Sequence, residues 1–324
     1  MKEKKPLLSI CIPTYNRAYL LKESLSKLLP ICQKYNIEVY VSDNASPDGT
    51  YDLLVKLKEI YSCLDFYRQN ENIGSDKNFE FVIKNASGKY RWTLGDSTYI
   101  TEKSLLSFIA LLKENIEYKF YVLGFLSYIN NNEKQVVYYD ANVLLRDIGW
   151  HMTWISCLVY HESIIEKLDF QRYYESSFIQ TGVIFEYLAH NTTNVMYCPQ
   201  IPIETFPNIE KRGHWLPHAF EVFCKKWTLF IYSLPVYYSY ESKAECIMKH
   251  GIKADLFTLK GLLYLRRNKY LCLEHILKYK KFIKCTVRYN FLFLILISLI
   301  PAVLLNTLSK TRKLLITRKW KGFA

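Results

Sequence analysis

The sequence predicts an α/β protein with a doubly wound sheet, followed by a helical, basic C-terminal region. Three observations carry this. Strand-like apolar runs alternate with helical periodicity over the first hundred residues. Polar, turn-like clusters follow the apolar runs, the first two about thirty residues apart, which is one strand-helix-strand unit. Positive charge gathers after Glu274, beside the most apolar stretch of the chain.

Taken in order, Leu8 to Pro13 is a predicted strand, and Ala18 to Leu29 is a helix with Leu20, Leu21, Leu25, Leu28 and Leu29 on one face. Ile37 to Ser42 is a second strand. Tyr51 to Tyr61 is a helix with Thr50 as N-cap and Leu53, Leu54, Leu57 and Ile60 buried. A strand at Leu64 to Tyr67, a helix at Asp76 to Asn85 and a strand at Tyr90 to Leu94 complete the alternation. Beyond it, the pattern gives a helix at Glu102 to Glu114, strands near Phe120 to Tyr128 and Gln135 to Tyr139, and helices at Ser163 to Leu168 and Thr181 to Ala189. From Pro217 to Tyr279 the chain is helical, in blocks separated by Pro235 and Gly251.

Charge narrows the function classes. The net charge of +13 suggests a nucleic-acid binder, but eleven Lys and Arg and no acids follow Glu274, and residues 1 to 277 carry only +2. The same tail holds the run Phe291 to Leu305, fifteen residues, or roughly 22 Å as a helix against a hydrocarbon core of about 30 Å. Basic residues flank it on both sides and Pro301 interrupts it. An interfacial or re-entrant segment held by anionic headgroups fits that pattern better than a crossing helix. A buried core helix with a solvated basic tail is the alternative. Nine cysteines, scattered singly without a Cys-x-x-Cys pair, argue against a disulfide framework and a thiolate zinc site. No secretory signal is expected, because Met1-Lys2-Glu3-Lys4-Lys5-Pro6 leads straight into a strand, and the expectation is a cytoplasmic chain.

In a parallel sheet, whatever follows each strand collects along one edge, where ligands bind. Here that edge receives Pro13-Thr14-Tyr15-Asn16-Arg17, Asp43-Asn44-Ala45-Ser46-Pro47-Asp48-Gly49-Thr50, Asn72-Ile73-Gly74 and Gly95-Asp96. Asp43, at the end of the second strand, is placed to accept hydrogen bonds from a nucleotide base or ribose; it is equally placed to form an Asx-turn. No Gly-x-Gly-x-x-Gly follows the first strand, which argues against a dinucleotide oxidoreductase. The four clusters, with Asn70 to Asn78 and Ala86 to Asp96 around the last two, resemble glycosyltransferase family 2, the inverting enzymes of GT-A fold, and within it the abequosyltransferase-like branch of bacterial surface-polysaccharide transferases.

The resemblance is strong over residues 7 to 100 and general beyond. The expected division is a donor-binding half at 1–100, an acceptor-binding half at 101–216 and a helical region at 217–324, whose apolar run and basic charge give a membrane-associating segment at 285–321. The resemblance implies transfer from a nucleotide-sugar, most simply a UDP-sugar, to a polyprenyl-diphosphate-linked saccharide of O-antigen, capsule or a similar polymer. The protein would lie on the inner face of the cell membrane, with no nucleic-acid partner. Pro13, Tyr15, Arg17, Asp43, Asn72, Lys77, Gly95 and Asp96 would form the donor site, and Asp96 would hold Mn2+ or Mg2+ against the diphosphate. The chain departs from the family where Ser97 and Thr98 replace carboxylates, so Lys77, Lys89 or Arg91 could supply charge in place of a metal. A second departure concerns the general base: Gln180 or Thr181 stands where the family has an acid. Glu175 is the nearest acid upstream and Glu186 lies on the following helix. His151 to Ser156 resembles the family's acceptor-side strand, and in Arg212-Gly213-His214-Trp215 the default is a packed aromatic with a satisfied imidazole, a closing loop being the alternative. A nucleotide-sugar-binding scaffold without turnover is the alternative function.

Overall fold

A computed structural model describes residues 5–114, 118–125, 134–206 and 216–307. The first half follows the predicted alternation: β1 (Leu8–Thr14), α1 (Ala18–Tyr35), β2 (Glu38–Asp43), α2 (Thr50–Ile60), β3 (Leu64–Arg68), α3 (Ser75–Asn85) and β4 (Tyr90–Thr93). β1 pairs in parallel with β2 and β4, and β2 with β3. Helices on the sheet faces leave β1 and β2 buried on both sides, which their near-continuous apolar composition requires. α1 runs through Pro30 to a left-handed Asn36, past the predicted end at Leu29, because Cys32 continues the buried stripe of Leu21, Leu25, Leu28 and Leu29. Two details of α2 differ from expectation. Thr50 is its first residue rather than its cap, and its hydroxyl donates to Asp48. Of the four positions expected to be buried only Leu54 is, and Ile60 is 68% exposed, because α2 lies against the edge strand β3.

The second half departs from the parallel plan. After β5 (Thr98–Tyr99) and α4 (Glu102–Lys113), capped by Thr101 accepting from the Ser104 N–H, come β6 (Phe120–Phe125), β7 (Val136–Tyr138), α5 (Ala141–Ile148), β8 (Leu158–His161), α6 (Ile179–His190) and β9 (Val195–Thr205). β8 lies antiparallel between β4 and β6, and β9 is parallel to β6 but antiparallel to β5 and β7. The described residues thus form one mixed sheet in the order β3-β2-β1-β4-β8-β6-β9-β5. His151–Thr153 and Ile155–Cys157 are 3-10 turns, not a strand; the strand starts two residues after Ser156. Glu162–Lys167 is a 3-10 helix. All nine cysteines are free, six of them buried.

The described chain divides into two compact units, one of residues 5–206 with Leu234–Ser239 and one of 216–233 with 240–307. The second is helical. A π-turn at Glu221–Lys226 runs into α7 (Trp227–Ser233), followed by α8 (Tyr240–Lys253), α9 (Leu259–Arg267), α10 (Leu273–Lys278), α11 (Lys280–Thr286) and α12 (Phe291–Leu299). Phe220, Phe257, Leu262, Leu265, Ile283 and Leu294 lie in its core. Gly251 does not break the helices. It lies inside α8, where a Cβ would come within 2.6 Å of the Phe257 ring and 2.9 Å of the Thr286 carbonyl, so it is a close-packing glycine. Among the described residues no single helix is long and apolar enough to cross a membrane; α11 and α12 form a pair bent by 107°.

Candidate functional site

The C-terminal edge of the parallel strands carries the predicted clusters, and backbone bonds stitch them together. The Asn44 N–H donates to the Thr14 carbonyl at 3.0 Å, the Asn16 N–H to Ser46 Oγ at 2.8 Å and the Ala18 N–H to Asp48 Oδ2 at 2.9 Å. Asn16 and Ala45 take left-handed φ values of 53° and 58°, which turn the chain sharply off β1 and β2. Burial raises the Asp48 carboxyl, but the N–H groups of Ala18 and Thr50 and the Thr50 hydroxyl hold it below its ordinary range.

Asp43 is fully buried and does two things at once. Its Oδ1 accepts from the Ser46 N–H at 3.0 Å, the Asx-turn that the sequence allowed. Its Oδ2 has no hydrogen-bond partner; the nearest cation, Arg68 Nε, stands at 3.8 Å. A buried carboxyl oxygen without a hydrogen bond costs free energy unless a donor meets it. Arg68 is held over the Tyr51 ring, 5.0 Å from its centroid, and donates through Nη2 to the Ser46 carbonyl at 3.2 Å.

Asp96, on the turn after β4, is buried with both oxygens occupied. Oδ2 accepts from the Thr14 hydroxyl and Oδ1 from Arg17 Nη1, both at 3.1 Å. Burial raises its carboxyl above the ordinary range, with Arg17 and Thr14 opposing. The Arg17 side chain is 37% exposed against 8% for Asp96, so the guanidinium reaches from the buried acid to solvent, and among the described residues it has no other acceptor. Thr98 turns away from this pair: its hydroxyl donates to the Gly95 carbonyl at 2.8 Å and lies 2.9 Å from Ser156 Oγ, which also accepts from the Gly95 N–H.

Comparison with known proteins accounts for this edge. Residues 9–169 match the model of glycosyl transferase family 2. Residues 9–169 are a family 2 glycosyltransferase domain. Abequosyltransferase RfbV of Salmonella typhimurium is 39% identical over 102 residues, 31% of this chain and 30% of that protein. An uncharacterized glycosyltransferase of Rickettsia typhi is 34% identical over 99 residues, 30% of each chain. The match therefore spans less than a third of either curated relative. At the level of fold, residues 1–349 of S. aureus TarS in complex with UDP-GlcNAc superpose with a TM-score of 0.52 at 15% identity, over 86% of this chain and 83% of that one. The mannosyltransferase PcManGT of Pyrobaculum calidifontis, in complex with GDP-Man and Mn2+, gives 0.53 at 15% identity, over 91% and 86%. The mixed sheet is a GT-A fold.

Against the family pattern, the cation ligands do not assemble. Asp96 is the only carboxylate of its turn and both of its oxygens are taken; Thr98 is bonded inward, and no three His, Cys, Asp or Glu residues converge among those described. The residues present do not fit the Mn2+ or Mg2+ site that the resemblance implied. Two of the three cations suggested as substitutes also lie elsewhere. Arg91 is buried and donates to the Ile83 and Lys84 carbonyls, and Lys89 sits at the N-terminal end of β4, opposite Asp96. Arg17 and Arg68 hold the positions near the acids, and the sequence reading missed Arg68. The signal for it was available, since it ends β3 as Asp43 ends β2.

The remaining site residues gather at the third cluster. Asn72 Oδ1 accepts from Asn44 Nδ2 at 2.9 Å and from the Gly74 N–H at 3.0 Å, which orders the turn before α3. Lys77, exposed in the first turn of α3, lies 5.9 Å from the Tyr174 ring. Glu175 follows at a left-handed φ of 64°, its side chain exposed and its N–H donating to Asp76 Oδ2 at 2.6 Å; Tyr174 also donates to Glu80. The loop carrying Glu175 is thus pinned to the start of α3. Glu186 is buried, accepting from the Tyr173 hydroxyl and paired with Arg172 and His190. Gln180 and Thr181 donate to the carbonyls of Thr153 and Met152, at 2.9 and 2.8 Å. Pro13 is half-buried and Tyr15 is 43% exposed at the rim. Arg212 to Trp215 lie outside the described residues.

Proposed function

We propose that this protein transfers a sugar from a UDP-sugar, with inversion, to a polyprenyl-diphosphate-linked saccharide in the synthesis of O-antigen, capsule or a related bacterial surface polymer, at the inner face of the cell membrane. The observation that carries the reading is Oδ2 of Asp43, buried without a hydrogen bond, an acceptor fixed at the sheet edge by the Ser46 N–H and ready for a base N–H. The identity to abequosyltransferase RfbV supports a role in O-antigen synthesis.

Each group then has a task. Asp43 orients the base, and the free N–H groups of Arg17, with Asp96 fixing the other side of its guanidinium, face the diphosphate and stabilise charge as it leaves. Lys77 adds a second positive charge beside the donor. Glu175 takes the proton of the acceptor hydroxyl while that oxygen attacks the anomeric carbon opposite the departing nucleoside diphosphate, which inverts the centre. A non-catalytic nucleotide-sugar-binding scaffold is the second reading, favoured by the loss of carboxylates at Ser97 and Thr98.

Calorimetric titration with UDP, GDP and CDP, each with Mn2+ and again with EDTA, tests the first step. UDP binding supports the transferase, and the EDTA arm decides whether Mn2+ or Mg2+ is needed. Absence of binding to any nucleotide sinks it. Binding of donor without transfer to extracted lipid-linked acceptors favours the scaffold.

A further inference from the structure

The apolar run near the C-terminus is built into the second unit rather than appended to it. One side of α12 is core: Leu294 and Ile297 are buried with Ile283 and Leu262, and the Asn290 side chain accepts from the Phe293 N–H at 2.8 Å to cap the helix. Its far end is tied down as well, because Arg266 Nε donates to the Ile300 carbonyl at 2.7 Å. The other side has no cover among the described residues. Leu292, Leu296 and Leu299, spaced for one helical stripe, are 65%, 56% and 64% exposed, and Val303 just beyond is 75% exposed. α10 packs against α12 and leaves Leu273 and Leu277 43% and 56% exposed.

Exposed leucine on so many successive turns is costly in water and marks a docking face. Charge identifies the occupant. Lys278 at the end of α10 and Lys280, Lys281, Lys284 and Arg288 before α12 are all exposed, and Lys280 Nζ lies 5.2 Å from the centre of the Phe291 ring. Six more Lys and Arg follow in the sequence and no acid does. Glu274 of α10 is exposed as well, but five exposed cations outweigh it, and an apolar stripe bordered chiefly by cations matches a surface that is apolar within and anionic at its rim, which is a bilayer with acidic headgroups.

We propose that the α10–α12 face of the second unit docks in the plane of an anionic membrane, with Leu292, Leu296 and Leu299 inserted at the acyl boundary and the α11 cations on the headgroups. This rests on the transferase reading for its purpose, since a lipid-linked acceptor is held in that surface, but not for its physics. The helix does not cross. Nine residues in α12 give roughly 14 Å, under half the hydrocarbon thickness, and the bend of 107° lays α11 and α12 in different directions. Removing the chain from about residue 285 would be a poor test, because it deletes the core residues Leu294 and Ile297.

The test is flotation of the full chain with zwitterionic vesicles and with vesicles containing about a third anionic lipid. The parent should float with the anionic vesicles and release at high salt. Leu292→Ser, Leu296→Ser and Leu299→Ser combined should weaken flotation by roughly tenfold or more. If that variant fails to fold by circular dichroism, Lys280→Glu, Lys281→Glu and Lys284→Glu combined, all on exposed positions, should abolish the anionic preference. Flotation unchanged in either folded variant overturns the proposal. So does a parent that ignores vesicles but forms a dimer broken by the leucine changes, which would make the face a contact between copies. UDP titration of the same samples separates the two ideas: lost flotation with intact UDP binding concerns docking alone, and failed UDP binding concerns the transferase alone.

Discussion

The two halves of the sheet use their polar side chains differently. In the parallel half, β3-β2-β1-β4, polar groups at the strand ends keep capacity in reserve: Asp43 has an oxygen without a hydrogen bond, and Arg17, bonded to Asp96, still has free donors. In the mixed half the polar residues of α6 are consumed by the fold, Gln180 and Thr181 on the turn at Met152 and Thr153, and Glu186 on Tyr173 and Arg172. A carboxylate in the right stretch of sequence is therefore weak support for chemistry; what distinguishes a working acid is an unmet hydrogen bond or exposure next to the site. Glu175 is the acid of the second half that meets the exposure criterion beside the third cluster.

That contrast is sharpest at Glu175. Glu175→Gln should lower transfer by roughly a thousandfold while leaving UDP affinity unchanged, as measured by kcat on a lipid-linked acceptor and by titration. Unchanged kcat would put the base elsewhere and make Glu175 a loop residue. Next in size, Asp43→Ala should weaken UDP binding by roughly thirtyfold, about 2 kcal/mol for a hydrogen bond to a charged acceptor. Equal affinity would show that Oδ2 is simply an unpaired atom. Glu186→Ala should do the reverse: it leaves the buried Tyr173 hydroxyl without this acceptor and costs about 2 kcal/mol of unfolding free energy, with UDP affinity unaltered. Denaturant unfolding checks it, and a large loss of kcat at unchanged stability would move Glu186 from the framework into the site.

How much of this was legible in the sequence follows the same division. Strands β1 to β4 and their loops could be read because each unit is local: an apolar run, a turn, an amphipathic helix. The strands β8 and β9 could not. β8 is four residues long and pairs with β4 and β6, which lie far off in sequence, so no local period announces it. β9 contains Pro199 and Pro202, which argue against an inner strand, and a register shift against β6 between Leu123 and Gly124 accommodates them. At the site, the turn at Asp43 was readable from its residue types, whereas the pairing of Arg17 with Asp96, seventy-nine positions apart, is a product of the sheet order. Gly251 was misread because a glycine chosen for close packing has the same letter as one chosen for a turn.

The smallest predicted effect probes what Asp96 costs the fold. Burial raises its carboxyl above the ordinary 3.8 despite Arg17 and Thr14, so the folded chain holds that proton more tightly than the unfolded chain does. The sign follows: Asp96 favours folding most at acid pH, and its contribution falls as pH rises from 3.8 through the raised folded value, then stays level. Asp48 acts on the other side of 3.8, because its depressed carboxyl gives stability that is lost only as pH falls through its lower folded value. Subtracting the stability curve of Asp96→Asn from that of the parent isolates the first window, since the variant keeps Asp48. At neutral pH the variant should be as stable as the parent or more so, by up to about 1 kcal/mol, while transfer falls because Arg17 has lost its anchor. If the variant is instead clearly less stable at neutral pH, the Arg17–Asp96 pair is a stabilising ion pair of the framework, and the division between the two halves of the sheet fails at its most buried acid–base contact.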